Sequence, residues 1–136
     1  MKKPIRFILL DDDLFTLAIE KKVIQNYCRR PEIITFSESK DAIAFMEAEA
    51  VKDGHRETIF VTDLHMPELD GFELLDRLEN IFNLWKDRLH IFVLSAAARI
   101  EEIKKVLAYS CVIGFYHKPL STDKLAHLIT SVEYPL

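Results

Sequence analysis

Three carboxylates, one hydroxyl and one ammonium group each follow a short apolar run of the sequence. They belong to Asp11, Asp12, Asp63, Ser95 and Lys118. Carboxylates held close together repel one another, and a hard divalent cation such as Mg2+ relieves that repulsion. An ammonium group and a hydroxyl suit the oxygens of a phosphoryl group. If the fold brings these side chains together, they can serve phosphoryl transfer, with Asp63 as the nucleophile.

Each of these residues alone has a structural explanation. Asp11 alone could cap the helix that follows, a role predicted for the neighbouring Asp13, and an isolated lysine such as Lys118 is usually solvated. The combination is more informative, because the groups follow four different apolar runs. In an open parallel sheet, ligands bind outside the carboxyl ends of the strands, where such residues share one rim. The sequence therefore predicts a site at this rim.

Apolar runs of strand length alternate along the chain with segments of helical period. The runs are rich in Ile, Val and Phe, and several lack polar alternation, which is typical of strands covered on both faces. The predicted strands are Ile5–Leu10, Glu32–Phe36, Thr58–Thr62, His90–Leu94 and Val112–Tyr116. The predicted helices are Asp13–Arg29, Ser39–Ala50, Phe72–Trp85, Ala98–Tyr109 and Ser121–Val132. This order predicts an α/β fold with a doubly wound, five-stranded parallel sheet.

The spacing of apolar residues also predicts which face each helix buries. The buried residues expected in the first helix are Leu14, Leu17, Ala18 and Ile24. Those expected in the fourth helix are Ile100, Ile103 and Leu107. Ser39 and Ser121 are the predicted N-caps of the second and fifth helices.

The composition excludes several classes of protein. Of 136 residues, 49% are hydrophobic and 29% charged, as in a soluble globular protein. The net charge of -4 offers no basic field for nucleic acid or an anionic membrane. The first apolar run is interrupted by Arg6 and ends in acids, so it is too short for a signal peptide and a cytoplasmic protein is expected. Cys28 and Cys111 lack CxxC spacing and are expected to be reduced thiols.

Four segments, taken in order, resemble the receiver domains of response regulators in two-component signalling. These segments are Ile8–Asp13, Ile59–Gly71, Val93–Ala96 and Phe115–Pro119. The run from Asp63 through Met66-Pro67 to Asp70-Gly71 is the most specific of them. The resemblance covers essentially the whole chain and includes the chemotaxis receiver, which implies the flavodoxin-like strand order 2-1-3-4-5. Residues 1–136 are therefore expected to be a single receiver domain without an output domain, although a piece cut from a longer regulator fits equally.

The resemblance implies a role for each acid at the rim. Asp63 corresponds to the aspartate that accepts the phosphoryl group, and Asp12 to the residue that binds Mg2+ directly. Asp11 corresponds to the second carboxylate of the metal site. His65 corresponds to the residue whose main-chain carbonyl completes that site.

Three further positions carry implied roles in binding and switching. Lys118 corresponds to the lysine that pairs with the phosphoryl group, and its bond to Pro119 is a candidate cis peptide. Ser95 corresponds to the hydroxyl residue that moves to the phosphoryl group. Phe115 corresponds to the aromatic residue that follows this movement. The residues at positions 65 and 97 are expected to influence how long the phosphoryl group lasts.

The function implied is that of a signalling phosphoacceptor and not of a conventional enzyme. A phosphohistidine on a sensor histidine kinase or a phosphotransfer protein is expected to supply the phosphoryl group to Asp63. The fourth helix, fifth strand and fifth helix then form a surface for an unidentified target protein or for a dimer. Neither nucleic acid nor a membrane is an expected partner.

Three alternatives stay open on sequence grounds. Asp11-x-Asp13 after a first strand also resembles the nucleophile motif of HAD-type phosphatases, although Phe15 stands where Thr or Val is typical of that family. A flavodoxin-like cofactor protein would need a phosphate-binding loop where this chain has three acids. A degenerate receiver would bind partners without being phosphorylated.

Overall fold

A parallel sheet of five strands forms the centre of the computed structural model, which describes residues 5–52, 54, 56–67 and 70–133. The strands are β1 (Arg6–Leu10), β2 (Glu32–Phe36), β3 (Thr58–Thr62), β4 (Leu89–Ser95) and β5 (Val112–His117). Their order is β2-β1-β3-β4-β5, and every neighbouring pair is parallel. The predicted fold class and strand order are confirmed.

The helices lie close to their predicted positions. They are α1 (Leu14–Tyr27), α2 (Ser39–Ala50), α3 (Gly71–Ile81), α4 (Ile100–Leu107) and α5 (Thr122–Glu133). The predicted third helix is interrupted: after Ile81 it tightens into a 3-10 turn, Phe82–Trp85, which ends at Lys86 in the left-handed region with φ 50°. In the part of the chain that the structure describes, no helix combines the length and hydropathy that crossing a membrane requires.

The sheet separates the buried apolar residues that the structure describes into two clusters. One cluster packs α2, α3 and α4 against side chains such as Ile8, Phe60 and Val93. The other packs α1 and α5 against side chains such as Phe7 and Ile59. Because both faces of β1, β3 and β4 are covered, these strands read as continuous apolar runs. No disulfide joins Cys28 to Cys111 among the described residues, as expected.

Two of the three predicted caps are confirmed. The side chain of Asp13 accepts hydrogen bonds from the Phe15 backbone at 3.0 Å and from the Thr16 hydroxyl at 2.9 Å. The Ser121 hydroxyl accepts from the Lys124 backbone at 3.2 Å. The prediction for Ser39 is wrong, because Ser39 is the first helical residue and is buried, with Glu38 at the cap position.

The predicted buried faces need correction in α1 and α4. Leu17 and Ile24 are buried, but Leu14 is 70% exposed and Ala18 is also exposed. In α4, Ile100 is 67% and Leu107 49% exposed. The residue of α4 that points onto the sheet is Val106, so the helix is rotated away from the face that its apolar spacing predicts.

Candidate functional site

Three carboxylates meet at the carboxyl ends of the neighbouring strands β1 and β3. Asp11 and Asp12 follow β1, Asp63 follows β3, and one oxygen of each lies within 4.8 Å of the others. Asp11 and Asp63 are buried, at 1% and 8% exposure, whereas Asp12 is exposed. The structure therefore brings these acids together at one rim, with Asp12 on the side of the cluster that faces solvent.

Lys118 connects two of these carboxylates from the end of β5. Its Nζ donates to Asp11 Oδ2 at 2.5 Å and to Asp63 Oδ2 at 3.0 Å. Burial disfavours the ammonium, but the hydrogen bonds to Asp11 and Asp63 outweigh it, and the net effect raises the pKa of Lys118. The lysine therefore stays charged and neutralises part of the carboxylate cluster.

One ammonium does not fully compensate the cluster. Burial raises the pKa of the Asp11 carboxyl, even though hydrogen bonds from Lys118 and from the Asp13 backbone favour its ionised form. The negative charge of Asp63 adds to this increase. A site in which the Asp11 carboxyl resists ionisation gains from a further positive charge, which a hard divalent cation supplies.

Ser95 brings a hydroxyl to the same rim from the end of β4. Its side chain is fully buried, and its Oγ has no hydrogen-bond partner among the residues that the structure describes. Leaving a buried hydroxyl unpaired is costly, so such a group is ready to bond to an incoming oxygen. The adjoining Lys118 N–H donates to the Ser95 carbonyl at 2.9 Å, which ties the two strand ends together.

His65 and Phe115 lie near the rim in different settings. The His65 N–H donates to Asp63 Oδ1 at 3.3 Å, while the His65 side chain is half exposed. Phe115 is half-buried against the apolar cluster under α4, with its ring edge-on to His117 at 5.3 Å. The peptide bond between Lys118 and Pro119 is cis, as the resemblance implies. The metal and switching roles of His65 and Phe115 stay predictions.

Glu20 is a part of this region that the sequence analysis missed. Its side chain is only 3% exposed. Burial, with smaller contributions from the negative charges of Asp11 and Asp63, raises the pKa of Glu20 to about 8, and Lys118 opposes the rise. Glu20 lies three residues after Leu17 and four before Ile24, so it belongs to the buried stripe of α1 that these two residues define.

Gly71 controls how closely α3 approaches the loop after Asp63. The Gly71 N–H donates to the Leu64 carbonyl at 3.1 Å, and a Cβ at position 71 would lie 2.3 Å from that oxygen. Only a residue without a side chain permits this contact. Gly71 therefore fixes the position of Leu64, the residue next to Asp63. The sequence analysis did not assign this role to Gly71.

A flavodoxin-like α/β domain with an acidic, lysine-bridged rim is the class that the fold and site define. Comparison with family models is more specific, since the model of the response regulator receiver domain matches residues 7–130. The chain therefore belongs to the response regulator receiver family of two-component systems.

Solved structures with the same fold come from several bacteria. A two-component response regulator of Cytophaga hutchinsonii superposes with a TM-score of 0.85 at 24% identity, covering 97% of this chain and 98% of that one. A receiver protein of Dyadobacter fermentans gives 0.83 at 23% identity, covering 95% and 98%. CheY of Borrelia burgdorferi, solved in a CheX-CheY-BeF3-Mg complex, gives 0.73 at 21% identity, covering 96% and 90%.

A curated relative has a longer chain. The probable transcriptional regulator ycf29 of Porphyra purpurea is 28% identical over 93 residues, which are 68% of this chain. The match spans only 43% of the length of that relative.

Proposed function

We propose that Asp63 accepts a phosphoryl group from a phosphohistidine of a sensor kinase or phosphotransfer protein, in a reaction that requires Mg2+. The observation that supports this most strongly is the position of the Asp63 carboxylate. It is bound by Lys118 Nζ at 3.0 Å and lies within 4.8 Å of the Asp11 and Asp12 oxygens.

The residues at the rim fit a magnesium ion. Asp11, Asp12 and Asp63 supply closely spaced carboxylate oxygens, and Lys118 offsets only part of their charge. With the main-chain carbonyl of His65, they would hold the ion. When bound, Mg2+ supplies charge neutralisation for the carboxylates and the phosphoryl oxygens.

The chain orients Asp63 before the donor arrives. Lys118 binds one carboxylate oxygen and the His65 N–H binds the other, so the nucleophile has a defined direction. In the transfer, an Asp63 oxygen bonds to phosphorus as the bond from phosphorus to the imidazole nitrogen of the donor breaks, and the electron pair stays on that nitrogen. Lys118 then pairs with a phosphoryl oxygen.

The product is an acyl phosphate whose phosphoryl group carries about -1.5 to -2 charges, on the scale of phosphorylated side chains, in place of the single charge of the carboxylate. The unpaired Ser95 hydroxyl bonds to one of its oxygens. Phe115 turns further inward as Ser95 moves, and the surface of α4, β5 and α5 changes for a target protein or a second copy.

The exposed apolar start of α1 suits the docking of the donor. Leu14 is 70%, Phe15 74% and Ile19 38% exposed, and they follow Asp12 and Asp13 directly along the chain. An apolar patch beside a reactive group is a common feature of protein-binding surfaces. The proposed partners are therefore proteins in the cytoplasm, and neither nucleic acid nor a membrane is involved.

Asp11 is a weaker candidate for the nucleophile. It is 1% exposed, and its two oxygens accept hydrogen bonds from the Asp13 backbone at 2.9 Å and from Lys118 at 2.5 Å. This setting does not favour the HAD-type alternative, in which the corresponding aspartate attacks.

Incubation with a small phosphodonor and Mg2+, followed by intact-mass and peptide mass spectrometry, tests the proposal. We expect one phosphoryl group on Asp63, none with EDTA, and none on Asp63→Asn. The variant Asp123→Asn, which changes an exposed acid of α5, should react like the wild type. An unmodified Asp63, or a phosphoryl group on Asp11, would refute the proposal.

A further inference from the structure

The two ends of α4 are attached to the rest of the molecule very differently. Among the described residues of this helix, the one that is fully buried is Val106, near its C-terminal end. Ile100, at the N-terminal end, is 67% exposed. Apolar packing therefore secures the end of α4 that lies farther from Asp63 along the sheet edge and leaves the other end weakly held.

The turn after α4 is bound to α3 by a network of hydrogen bonds around the partly buried Glu79. The Glu79 carboxylate accepts hydrogen bonds from the Ser110 N–H at 3.2 Å, the Ser110 hydroxyl at 2.6 Å and the Cys111 N–H at 2.9 Å. Burial opposes ionisation, but these hydrogen bonds outweigh it and lower the pKa of Glu79. The carboxylate stays charged, and hydrogen bonds to a charged acceptor are the stronger kind.

Tyr109 adds a second connection at the same end. Its hydroxyl donates to Asp76 Oδ1 at 2.6 Å and lies 3.3 Å from the Phe72 carbonyl oxygen. Burial and the neighbouring Asp76 raise the pKa of the Tyr109 phenol, so it remains a hydrogen-bond donor. The turn 109–111 is thus fixed to α3 at several points.

Among the described residues, the N-terminal half of α4 has fewer polar contacts with the rest of the molecule. Glu102 accepts from the Arg99 N–H at 3.0 Å, which caps the helix, and its Oε2 lies 3.7 Å from Nε2 of His65. Solvent-exposed contacts of this kind are weak. His65, however, also donates its backbone N–H to Asp63, so one residue touches both the phosphoacceptor and α4.

We propose that α4 pivots about the turn 109–111, and that the contact between His65 and Glu102 is the latch that holds its N-terminal end in the unphosphorylated state. Phosphorylation of Asp63 replaces the charged carboxylate that accepts the His65 N–H with an uncharged acyl carbonyl, which is a weaker acceptor, so that His65 moves and the latch opens. The pivot is a property of this chain's own contacts, whereas its control by Asp63 rests on the proposed function. Rotation about a few residues at the end of an element is a common form of switching.

Hydrogen exchange measured by mass spectrometry tests both parts. Peptides over residues 96–107 report the moving end, and peptides over residues 108–117 report the pivot. In the protein without phosphodonor, Glu102→Gln should raise exchange in the first peptide at least threefold and leave the second unchanged. Glutamine retains the hydrogen bond from the Arg99 N–H but removes the charge that Glu102 presents to His65 and, at 3.9 Å, to Nε of Arg99. A variant that removes only the Arg99 side chain therefore separates the two contacts and should leave exchange nearly unchanged. Arg99→Ala is the matched control, and His65→Gln should reproduce the effect of Glu102→Gln.

Glu79→Gln tests the pivot itself and should raise exchange in both peptides. Equal exchange in wild type, Glu102→Gln and His65→Gln would overturn the latch. A Glu79 variant with unchanged exchange over 108–117 would overturn the pivot. Beryllofluoride with Mg2+ should raise exchange over 96–107 in the wild type and add little in Glu102→Gln. The comparisons of wild type with the variants need no phosphodonor, so they remain valid even if Asp63 proves unreactive. If Asp63 is phosphorylated but the variants at positions 65 and 102 do not change exchange, the latch is refuted and the proposed function is not.

Discussion

The rim site and α4 use similar charged groups in opposite settings. At the rim, Lys118 binds two buried carboxylates at 2.5 Å and 3.0 Å. At the start of α4, the corresponding contact between Glu102 and the half-exposed His65 spans 3.7 Å. Under the proposed function, the group that forms a bond is held in one position, and the element that changes its surface is held weakly. The contrast predicts large effects of substitutions at the rim and small ones on the outer face of α4.

Replacing Lys118 with alanine should have the largest effect. It leaves Asp11 and Asp63 buried without a cation, which we expect to lower the free energy of unfolding by about 3 kcal/mol in EDTA. Added Mg2+ should recover part of the loss, whereas the phosphorylation rate should stay roughly 100-fold lower. Urea unfolding and phosphodonor kinetics measure the two quantities.

Lys124 provides the control for this variant, because its Nζ binds main-chain carbonyls and no carboxylate among the described residues. Lys124→Ala should retain nearly all of the stability and activity. Equal losses from the two lysine variants would show that the bridge between the buried Asp11 and Asp63 is not what makes Lys118 important.

Glu20→Gln should stabilise the protein in a pH-dependent way. The folded-state pKa of about 8 exceeds the ordinary value of 4.5, so the stability associated with Glu20 is fully present below pH 4.5 and is lost as pH rises through about 8. Glutamine stays neutral throughout, so its advantage should be absent at pH 4.5 and reach at most roughly 3 kcal/mol at pH 7. Urea unfolding in EDTA at both pH values measures this, with the exposed Glu101→Gln as control. An advantage that does not change with pH would show that Glu20 is ionised in the folded protein.

Gly71→Ala should cost about 2 kcal/mol, because the new Cβ would overlap the Leu64 carbonyl. We also expect slower phosphorylation, since Leu64 adjoins Asp63. Gly54→Ala is the comparison: its Cβ meets no atom within 4 Å, and only its φ of 69° carries a backbone cost of about 1 kcal/mol. A smaller loss at position 71 than at position 54 would mean that α3 can move away from the loop.

Two substitutions in α4 should differ most clearly in stability. Ile100→Ser is expected to change the free energy of unfolding by no more than about 0.5 kcal/mol, since the side chain is exposed. Val106→Ala should cost about 2 kcal/mol, because it leaves a cavity under the helix. Thermal or urea unfolding of the two variants measures these changes. A larger loss of stability from Ile100→Ser than from Val106→Ala would mean that α4 buries the face predicted from apolar spacing.

The sheet and the position of the rim site were predictable because both depend on local pattern. The strands Glu32–Phe36 and Thr58–Thr62 have the predicted bounds, since each is an apolar run bounded by polar residues. Parallel order then brings the residues after each strand to the same rim. The meeting of Asp11, Asp12 and Asp63 follows from chain direction alone.

The orientation of α4 and the burial of Glu20 depend on tertiary packing. Apolar spacing selected Ile100 and Leu107, but a short helix near the sheet edge can bury a narrow stripe, here Val106. Glu20 was missed because acids are rarely buried without a partner. Its place on the stripe with Leu17 and Ile24 outweighed its polarity. Predicting which groups pair between α3 and the turn after α4, such as Glu79 with Ser110, requires knowledge of the three-dimensional arrangement.

The division of the interior by the sheet has a consequence for the history of such chains. The residues that seat α1, such as Leu17 and Ile24, share no cluster with Val106, which seats α4. Substitutions that adapt the start of α1 to a new phosphoryl donor therefore leave the packing of α4 undisturbed, and the reverse holds as well, whereas α5 shares the cluster of α1. Under the proposed function, a duplicated copy can acquire a new source of its signal in one lineage and a new recipient in another.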